Sequence, residues 1–473
     1  MLNQTNKDKN FLKFIKYFLI FLMGGFASLS LPPLSFSPII FLITIPLFHL
    51  VNSKNLKDAF LIGYFLAFGW FLVSLYWISN AILVGGEEFL WMIPFVFICF
   101  PAFLSVFWGL AFFFTNLIGR SIVERLILFS IFLPFFEWLR GNLLTGFPWN
   151  MIGFSLSSPL EIAQSIALLG PYGQNVIIAL ALSIPITIFY NKKILTLLSI
   201  ISCGLVFLAS FYAFKSNIVS FTDKNVKLVQ PNFSHSEKWD KKKFFINQEK
   251  LLDLSKNYSG KNTLIIWPET AIVNFPENIK KELMLIKETI LTKNSVFLIT
   301  GIPRKEVVNN QKYYYNSMIV VDKTGSILGT YNKNKLVPFG EYNPFKKVLS
   351  FFKIIASDNE FSHGGLIKEK FFSFGDINLY PLICYEAIFP FQTRKDKSYD
   401  LIVNITNDRW FGKTFGPEQH FWLAKQRAIE TGIPMVRVSN SGISSLIAPN
   451  GKEIKSLEFG TSGFLELKIP KKF

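Results

Sequence analysis

The stretch INLYPLICYE, residues 377–386, decides the fold class of the second half of the chain. Its largely apolar residues are typical of a buried strand, which ends where Cys384 is followed by the polar residues Tyr385 and Glu386. A turn directly after a strand presents a side chain at the edge of an open α/β sheet, where such sheets keep their functional sites. We therefore predict a strand that ends at Cys384 and a functional position for this cysteine.

The sequence pattern of the rest of residues 220–473 is typical of an α/β domain. Short apolar runs predict further strands at 226–230, 263–269, 295–303, 315–322, 326–332, 400–408, 434–440 and 443–449. Charged stretches between them predict helices at 239–257, 276–292 and 417–431. Strands that alternate with helices indicate a single α/β sheet domain, and about 250 residues is an ordinary size for one.

Residues 1–215 are more apolar and indicate a membrane domain. Half of the 473 residues (50%) are hydrophobic and 53 of them are Phe, a composition typical of membrane proteins. Seven apolar runs are near or above the length that a helix needs to cross a bilayer: 11–31, 36–52, 59–79, 91–116, 124–140, 162–190 and 194–214. We predict a polytopic α-helical domain of about seven spans.

Basic residues in the loops predict the orientation of this domain. Lys7 and Lys9 precede the first predicted span, and basic pairs follow the second, fourth and sixth, whereas the alternate loops carry one Arg. The positive-inside rule then places the N-terminus in the cytoplasm and residues 220 onward outside it. The net charge of +17 fits such loops, and no nucleic-acid-binding motif accompanies it. Glu137 and Arg140, at a span end, are interpreted as an interfacial charge pair, with headgroup contact as the alternative.

Cys384 is the one cysteine outside the apolar runs, since Cys99 and Cys203 lie within predicted spans. An unpaired cysteine in an oxidising compartment is either a small buried hydrophobic residue or a reactive thiol. Burial is the commoner outcome for a lone cysteine, but the position of Cys384 at a strand end favours a reactive thiol.

A nucleophilic cysteine needs a base and a group that stabilises an oxyanion. None of the four histidines lies in a metal-binding or cysteine-protease motif. Glu269 follows an apolar strand, and Lys333, Lys335 and Glu341 follow another. Taken singly, each of these residues could equally be a solvated charge at the end of a strand.

Taken together, these residues belong to motifs of a known superfamily. WPET (267–270), YNKNKLVPFGEY (331–342), ICYE (383–386) and NITNDRWFG (404–412) occur in this order. The set resembles the carbon-nitrogen hydrolase (nitrilase-like) superfamily, whose site is a Glu-Lys-Cys triad in an αββα sandwich. The forms LVPFGEY and EWLRGNLLTGFPWN (137–150), together with a polytopic first half, resemble the bacterial apolipoprotein N-acyltransferase family. The resemblance extends over about residues 11–455.

The resemblance implies a role for each matching residue. Glu269 would be the general base, Lys333 the cation that stabilises the oxyanion, and Cys384 the nucleophile. Lys333 rather than Lys335 matches, because it stands eight residues before Glu341. The residues that the resemblance implies as supporting the triad are Glu341, Trp239, Tyr385 and Glu386. It implies neither a cofactor nor a metal.

The resemblance also implies a reaction and a location. A membrane phospholipid, chiefly phosphatidylethanolamine, would acylate Cys384 as a thioester. The acyl chain would then pass to the N-terminal α-amine of an S-diacylglyceryl-cysteine apolipoprotein. The enzyme would be a multi-pass protein of the bacterial inner membrane, with residues 1–215 in the bilayer and the catalytic domain, residues 220–473, in the periplasm. The bilayer, the lipid donor and the apolipoproteins would be its partners, and nucleic acid would not.

Two other functions remain open from the sequence. A membrane-tethered amidase or nitrilase could use the same triad on a soluble substrate, and a transporter or scaffold could use the second domain for binding alone. The triad residues argue against a scaffold, and the lack of paired broken helices with intramembrane charges argues against a transporter. EWLRGNLLTGFPWN in the membrane half argues against a soluble substrate.

Three features depart from the family pattern or extend it. Arg409 stands where the family has a small residue, which could alter headgroup preference or simply face solvent. No apolar run follows FLELKIPKKF where family members have a last helix, so we expect an external C-terminus. Apolar residues recur at helical spacing over 343–356. We predict that this segment dips into the outer leaflet, with a surface helix packed on its own sheet as the alternative.

Overall fold

The computed structural model describes residues 2–85, 87–258, 262–273, 279–292, 296–343, 360–365, 372–374, 376–390 and 398–473. The chain forms two compact units. The first comprises Met1–Ser216 with Thr414–Gln419, and the second comprises Asn217–Lys413 with His420–Phe473.

The first unit is helical. Its α-helices are Leu2–Ala27, Thr44–Asn52, Leu56–Ser74, Ile78–Gly85, Ile93–Ile118, Ile122–Asn142, Leu160–Ala163, Ser165–Phe189 and Lys193–Ser216. Among the described residues, five segments are long and apolar enough to cross a membrane: Asn10–Ser30, Leu56–Ser74, Leu90–Ile118, Ser165–Phe189 and Lys193–Ser216. These correspond to the first, third, fourth, sixth and seventh predicted spans, so the apolar helical domain is confirmed.

The count of seven spans is not confirmed, because the other two segments differ from a long apolar helix. The segment predicted at 36–52 is a 3-10 helix, Ser37–Ile43, followed by the short helix Thr44–Asn52. The segment predicted at 124–140 lies in the helix Ile122–Asn142, which has a first-turn Glu124 and a last-turn Arg140. The helices of the first segment are too short to cross a bilayer by themselves. Charged residues lower the mean hydropathy of the second segment.

The charge pair at the end of helix Ile122–Asn142, interpreted from the sequence as interfacial, is buried within the protein. Glu137 is 0% exposed and Arg140 is 2% exposed. Glu137 accepts hydrogen bonds from the Trp108 indole and from Arg140, which also donates to the carbonyl oxygens of Phe147 (2.6 Å) and Trp149 (2.9 Å). The pair therefore fixes the loop after the helix, and burial is tolerated because both charges find fixed partners.

The second unit is an α/β domain. Its strands are β1 Phe221–Gln230, β2 Thr263–Ile266, β3 Val296–Val308, β4 Gln311–Val321, β5 Ile327–Asn332, β6 Phe372–Phe374, β7 Ile377–Ile383, β8 Leu401–Thr406, β9 Met435–Ser439, β10 Ser444–Ile447, β11 Glu453–Leu457 and β12 Gly463–Pro470. In the part of the chain that the structure describes, the other α-helices are His235–Trp239, Phe244–Ser255, Lys280–Thr289 and Phe415–Thr431.

Within the described residues, the strands form two six-stranded sheets with similar plans. One has the order β12-β1-β2-β3-β4-β5 and the other β11-β10-β9-β8-β7-β6. The central neighbours β1, β2 and β3 are parallel, as are β7, β8 and β9, and the outer pairs are antiparallel. Helices connect β1 to β2, β2 to β3 and β8 to β9, as the alternating sequence pattern predicts, and such crossovers allow neighbouring strands to run parallel.

The core explains how the two sheets and the helices are layered. One cluster of buried side chains joins both sheets and includes Leu228 and Leu264 from one and Val403 from the other. A second cluster packs Leu251 and Ile286, which lie on helices, against the outer face of the first sheet. The equivalent cluster on the second sheet includes residues of helix Phe415–Thr431. The helix-sheet-sheet-helix layering expected from sequence is confirmed.

Candidate active site

Cys384 lies directly after β7, as predicted, at a sharp turn. The backbone of this residue has φ +51°, in the left-handed region that non-glycine residues rarely adopt, and it opens a 3-10 turn, Cys384–Ile388. Such strain persists only where the surroundings hold it, and it is common at active sites. The side chain is buried at 9% exposure and belongs to the core cluster between the sheets.

Glu386 holds the turn in place through both of its carboxylate oxygens. Oε2 accepts the backbone N–H of Ile383 at 2.7 Å. Oε1 accepts the Tyr331 hydroxyl at 2.7 Å and the backbone N–H groups of Asn334 (2.7 Å) and Lys335 (3.1 Å). Burial raises the pKa of Glu386, although these donors oppose the shift. The carboxyl group thus connects the cysteine turn with the segment after β5. Its donors are three backbone N–H groups and one tyrosine hydroxyl.

Lys333 follows β5 and lies between two carboxylates. Its Nζ donates to Glu341 Oε1 at 2.9 Å and lies 3.5 Å from Glu269 Oε1. Asn316 on β4 donates its side-chain N–H to the same two oxygens, at 2.9 Å and 2.7 Å. Glu341 is fixed further because its Oε2 accepts the backbone N–H of Val337 at 2.8 Å. The structure therefore brings Glu269, Lys333 and Glu341 into one cluster.

The charges in this cluster set the protonation of the lysine and the cysteine. Burial alone would lower the pKa of Lys333, but the carboxylates of Glu341 and Glu269 outweigh it and raise this pKa. Burial and the charge of Glu269 raise the pKa of Cys384 to about 12, while Lys333 opposes that shift. At neutral pH the site therefore holds a charged ammonium group and a protonated thiol, which a base must deprotonate before attack.

Lys238 is a buried group at this site that the sequence analysis missed. It is 4% exposed, and its Nζ donates to the backbone carbonyl oxygen of Glu269 at 2.9 Å. Burial lowers the pKa of Lys238 to about 8, against the opposing charges of Glu269 and Cys384. Trp239, which the resemblance implies as supporting, is 46% exposed. Successive helical residues point about 100° apart, so the lysine faces inward and the tryptophan outward.

Tyr385 packs beside the cysteine turn. It is 8% exposed, and its ring meets the Phe389 ring edge-on with centroids 5.2 Å apart. Burial raises the pKa of its phenol, so it is a neutral side chain at this site.

A second buried network lies at the end of β8, the strand next to β7. Asp408 accepts hydrogen bonds from Thr406 (3.0 Å), His420 (2.8 Å) and Arg437 (2.7 Å) and is completely buried. Burial alone would raise the pKa of Asp408, but Arg437 and His420 outweigh it and lower this pKa. Thr406 and Asp408 lie in the motif NITNDRWFG, but their pairing with His420 and Arg437 was not predicted, because these two partners lie 12 and 29 residues further along the chain than Asp408.

The predicted lipid-contacting segment, 343–356, falls almost entirely outside the described residues.

Comparison with known proteins agrees with this division of the chain. Residues 23–184 match the apolipoprotein N-acyltransferase N-terminal domain, and residues 225–471 match carbon-nitrogen hydrolase. Apolipoprotein N-acyltransferase from Rickettsia prowazekii (strain Madrid E) is 34% identical over 462 residues, which cover 95% of this chain and 91% of the relative. The chain belongs to the apolipoprotein N-acyltransferase family.

A relative from another bacterium matches over a similar length. The apolipoprotein N-acyltransferase of Rhizobium leguminosarum bv. trifolii (strain WSM2304) is 34% identical over 475 residues, covering 94% of this chain and 88% of the relative. Among solved structures, an amidase from Nesterenkonia sp. AN1 with an acetamide adduct on its active-site cysteine is similar at 18% identity. That match has a TM-score of 0.39 and covers 54% of this chain and 94% of the amidase.

Proposed function

We propose that this protein transfers an acyl chain from a membrane phospholipid, through a thioester on Cys384, to the N-terminal α-amine of S-diacylglyceryl-cysteine apolipoproteins. Membership of the N-acyltransferase family supports the overall reaction. The observation that carries the covalent step is the strained, buried position of Cys384, whose charge environment includes Glu269 and Lys333.

The first half-reaction follows from the protonation states at the site. Glu269 takes the thiol proton of Cys384, and the sulfur attacks the ester carbonyl carbon of the phospholipid. The ammonium group of Lys333 stabilises the negative charge that develops on the carbonyl oxygen. The tetrahedral intermediate then collapses to the thioester, and the lysophospholipid alkoxide leaves with the proton that Glu269 held.

The second half-reaction uses the same groups in the opposite order. The α-amine of the apolipoprotein attacks the thioester carbonyl, Lys333 again stabilises the oxyanion, and Glu269 accepts a proton from the amine. The thiolate of Cys384 leaves and recovers its proton from Glu269. Asn316 and Glu341 hold Lys333 and Glu269 in place, since the same two carboxylate oxygens bind both the lysine and the amide.

We also propose the donor, the location and the orientation. Phosphatidylethanolamine is the proposed donor, and residues 1–215 are the proposed membrane domain of an inner-membrane protein. Basic residues beside the apolar helices support a cytoplasmic N-terminus, which would place the catalytic domain, residues 220–473, in the periplasm. Trp239 and Tyr385 remain proposed as supporting residues of the triad, and Glu386 as the residue that positions the nucleophile.

A membrane-tethered amidase or nitrilase, which would form a thioester from a soluble C–N substrate and hydrolyse it, is the second candidate. The match of residues 225–471 to carbon-nitrogen hydrolase is compatible with this candidate, because the proposed triad lies within the matched residues. The match of residues 23–184 to the N-acyltransferase N-terminal domain favours lipid-linked substrates instead.

Pre-steady-state kinetics tests the proposed order of events. Purified protein in phospholipid-containing micelles, without an amine acceptor, should release a burst of about one lysophospholipid per enzyme. Adding a diacylglyceryl lipopeptide should then start steady turnover with ping-pong kinetics. Lysophospholipid that forms only after the lipopeptide is added would contradict the thioester. Turnover of a soluble amide with release of ammonia, without lysophospholipid formation from the micelles, would favour the amidase.

A further inference from the structure

Arg409 lies one turn beyond the strand that neighbours the nucleophile. In the parallel pair of β7 and β8, Ile383 is in register with Ile405, so the residues that follow these two strands emerge at the same edge. The 3-10 turn Asp408–Phe411 begins there and carries Arg409. Asp408 itself is buried in its own network, so it is not available to neutralise the neighbouring guanidinium.

The guanidinium of Arg409 has no anionic partner among the described residues. Its Nη1 donates to Asn232 Oδ1 at the long distance of 3.4 Å, and no carboxylate of the described residues lies within ion-pair distance. Asn232 is itself fixed, because its amide donates to the Gly460 carbonyl at 2.6 Å and its backbone N–H to the Asn440 carbonyl at 2.7 Å. Arg409 is half-buried, and a partly desolvated cation of this kind favours an anionic ligand.

Two other basic side chains lie near Arg409. Burial and the charges of Lys238 and Arg409 lower the pKa of His235, so both cations act on this imidazole. The His235 ring meets the Trp410 ring with centroids 4.8 Å apart, and Trp410 is 37% exposed. The cluster therefore combines positive charge with an exposed aromatic surface.

The acidic residues nearest to this cluster along the chain already have partners. Glu237, on the same short helix as His235, accepts bonds from the hydroxyl (2.7 Å) and the backbone N–H (3.0 Å) of Ser234 and from Lys243 (3.3 Å). Glu269 binds Asn316 through its carboxylate. Neither carboxylate makes a hydrogen bond to Arg409 or His235 in the described part of the chain.

The cluster adjoins the active site through Lys238. This lysine lies three residues after His235 on the helix His235–Trp239, and its Nζ donates to the Glu269 carbonyl at 2.9 Å. A ligand that contacts Arg409 and His235 therefore lies beside the groups that activate Cys384. In a glycerophospholipid, the phosphate diester and the reacting acyl ester are attached to the same three-carbon glycerol, so both groups must be accommodated close together.

We propose that Arg409, oriented by Asn232 and accompanied by His235, binds the phosphate diester of the phospholipid donor and makes the phosphate a determinant of donor choice. This subsite rests on the proposed acyl transfer from phospholipid. A planar guanidinium can bind two phosphate oxygens at once, which an ammonium group cannot do in the same geometry. The exposed Trp410 ring lies at the same place to cover the apolar part of the glycerol unit.

The test is a ratio of single-turnover acylation rates of Cys384. Phosphatidylglycerol and diacylglycerol with identical acyl chains are compared in detergent micelles at subsaturating concentration. The wild-type protein should prefer the phosphate-bearing donor, and Arg409→Ala should reduce the preference by about 10- to 100-fold, as expected for a hydrogen bond to a charged group. Arg409→Lys should keep part of it. Lys455→Ala, which removes an exposed positive charge from β11, is the matched control and should retain the wild-type ratio.

Each outcome separates the subsite from the proposed function. A misfolded fraction lowers both rates equally, so an unchanged ratio in Arg409→Ala overturns the subsite even if activity falls. Wild-type protein that forms no acyl-Cys384 from either lipid, yet reacts with an activated phenyl ester, overturns the proposed donor instead. Millimolar inorganic phosphate should leave the ratio unaltered. If it abolishes the preference in wild-type protein and has no effect in Arg409→Ala, the site binds the free anion, and the lipid assignment is overturned.

Discussion

Both units of this protein bury a carboxylate-cation cluster, and the two clusters differ in how their atoms are used. In the helical unit, Glu137 and Arg140 bind each other, an indole and two backbone carbonyl groups. In the α/β unit, Lys333 and Asn316 share the same oxygens of Glu269 and Glu341, and the cluster interacts electrostatically with Cys384.

The comparison indicates that a buried charged cluster can stabilise a fold or support a reaction, depending on the groups that it contacts. The Glu137–Arg140 pair binds groups that do not react, so its role is to fix a loop. The Lys333 cluster acts electrostatically on Cys384, the proposed nucleophile, which lies in a strained turn. Burial alone therefore does not distinguish the two clusters, whereas the presence of a neighbouring thiol does.

The largest expected effect comes from the nucleophile itself. Cys384→Ala should lower acyl transfer by more than about 10⁴-fold, because both half-reactions pass through its sulfur. Lipopeptide acylation in proteoliposomes measures this effect. Cys203→Ala is the matched control, since that thiol is buried and lies 3.7 Å from the Ile177 carbonyl, within a helix. The control should keep wild-type activity, and substantial transfer by Cys384→Ala would remove the cysteine from the mechanism.

The pH dependence of thiol reactivity tests the charge balance at Cys384. A pKa of about 12 means that the thiolate fraction rises about tenfold per pH unit well beyond neutral pH. In a Cys99→Ala/Cys203→Ala background, alkylation by iodoacetamide should therefore increase about 10³-fold between pH 7 and 10, without a plateau. A plateau below pH 9 would show that the free enzyme already holds a thiolate.

Loss of Lys333, the proposed oxyanion-stabilising cation, should have the next largest effect. Lys333→Met should reduce the rate of acyl-enzyme formation by about 10²–10³-fold, the usual result of removing an oxyanion donor. Lys335→Met is the matched control, since its side chain lies over the Phe389 ring at 5.2 Å rather than between the carboxylates. Equal losses in the two variants, measured by single-turnover lysophospholipid release, would contradict the assignment.

The smallest rate effects sharpen the comparison between the two clusters. Glu341→Gln should lower the single-turnover rate of the folded protein by about tenfold, because Lys333 loses one of its two carboxylates. Glu137→Gln should leave that rate near wild type but destabilise the helical unit by about 3–5 kcal/mol, because it leaves Arg140 without its counter-charge. Thermal unfolding and single-turnover rates, measured on both variants, separate the two effects. A rate loss in Glu137→Gln at wild-type stability would reverse the comparison.

Local pattern predicted most of the second unit. The apolar run before Cys384 predicted β7, and the runs at 226–230 and 400–408 lie within or overlap β1 and β8. Strand β12 was missed, although Leu465, Glu466, Leu467 and Lys468 alternate between apolar and charged residues as in a strand. It pairs antiparallel with β1, with Leu467 opposite Val226, and the sequence does not show which distant strand is its partner.

The candidate site was predictable only where residues belong to motifs. Glu269, Lys333 and Cys384 were proposed from the family resemblance, and the structure brings Glu269 and Lys333 within 3.5 Å. Their catalytic roles remain predictions. Lys238 was missed because a lysine among other charged residues looks solvated, and only the packing of its helix shows which neighbour faces inward. The burial of Glu137 and Arg140 was missed for the same reason, since sequence does not show what covers a span end.

Mass spectrometry of Cys384 after incubation with phospholipid tests the central claim most directly. The protein is mixed with a phospholipid that carries an isotope-labelled acyl chain, without an amine acceptor, and is then digested. We expect the peptide containing Cys384 to gain the mass of the labelled acyl group, to lose it in neutral hydroxylamine, and to transfer it to a diacylglyceryl lipopeptide when one is added. Transfer of label to the lipopeptide by a protein whose Cys384 is never acylated would contradict the account.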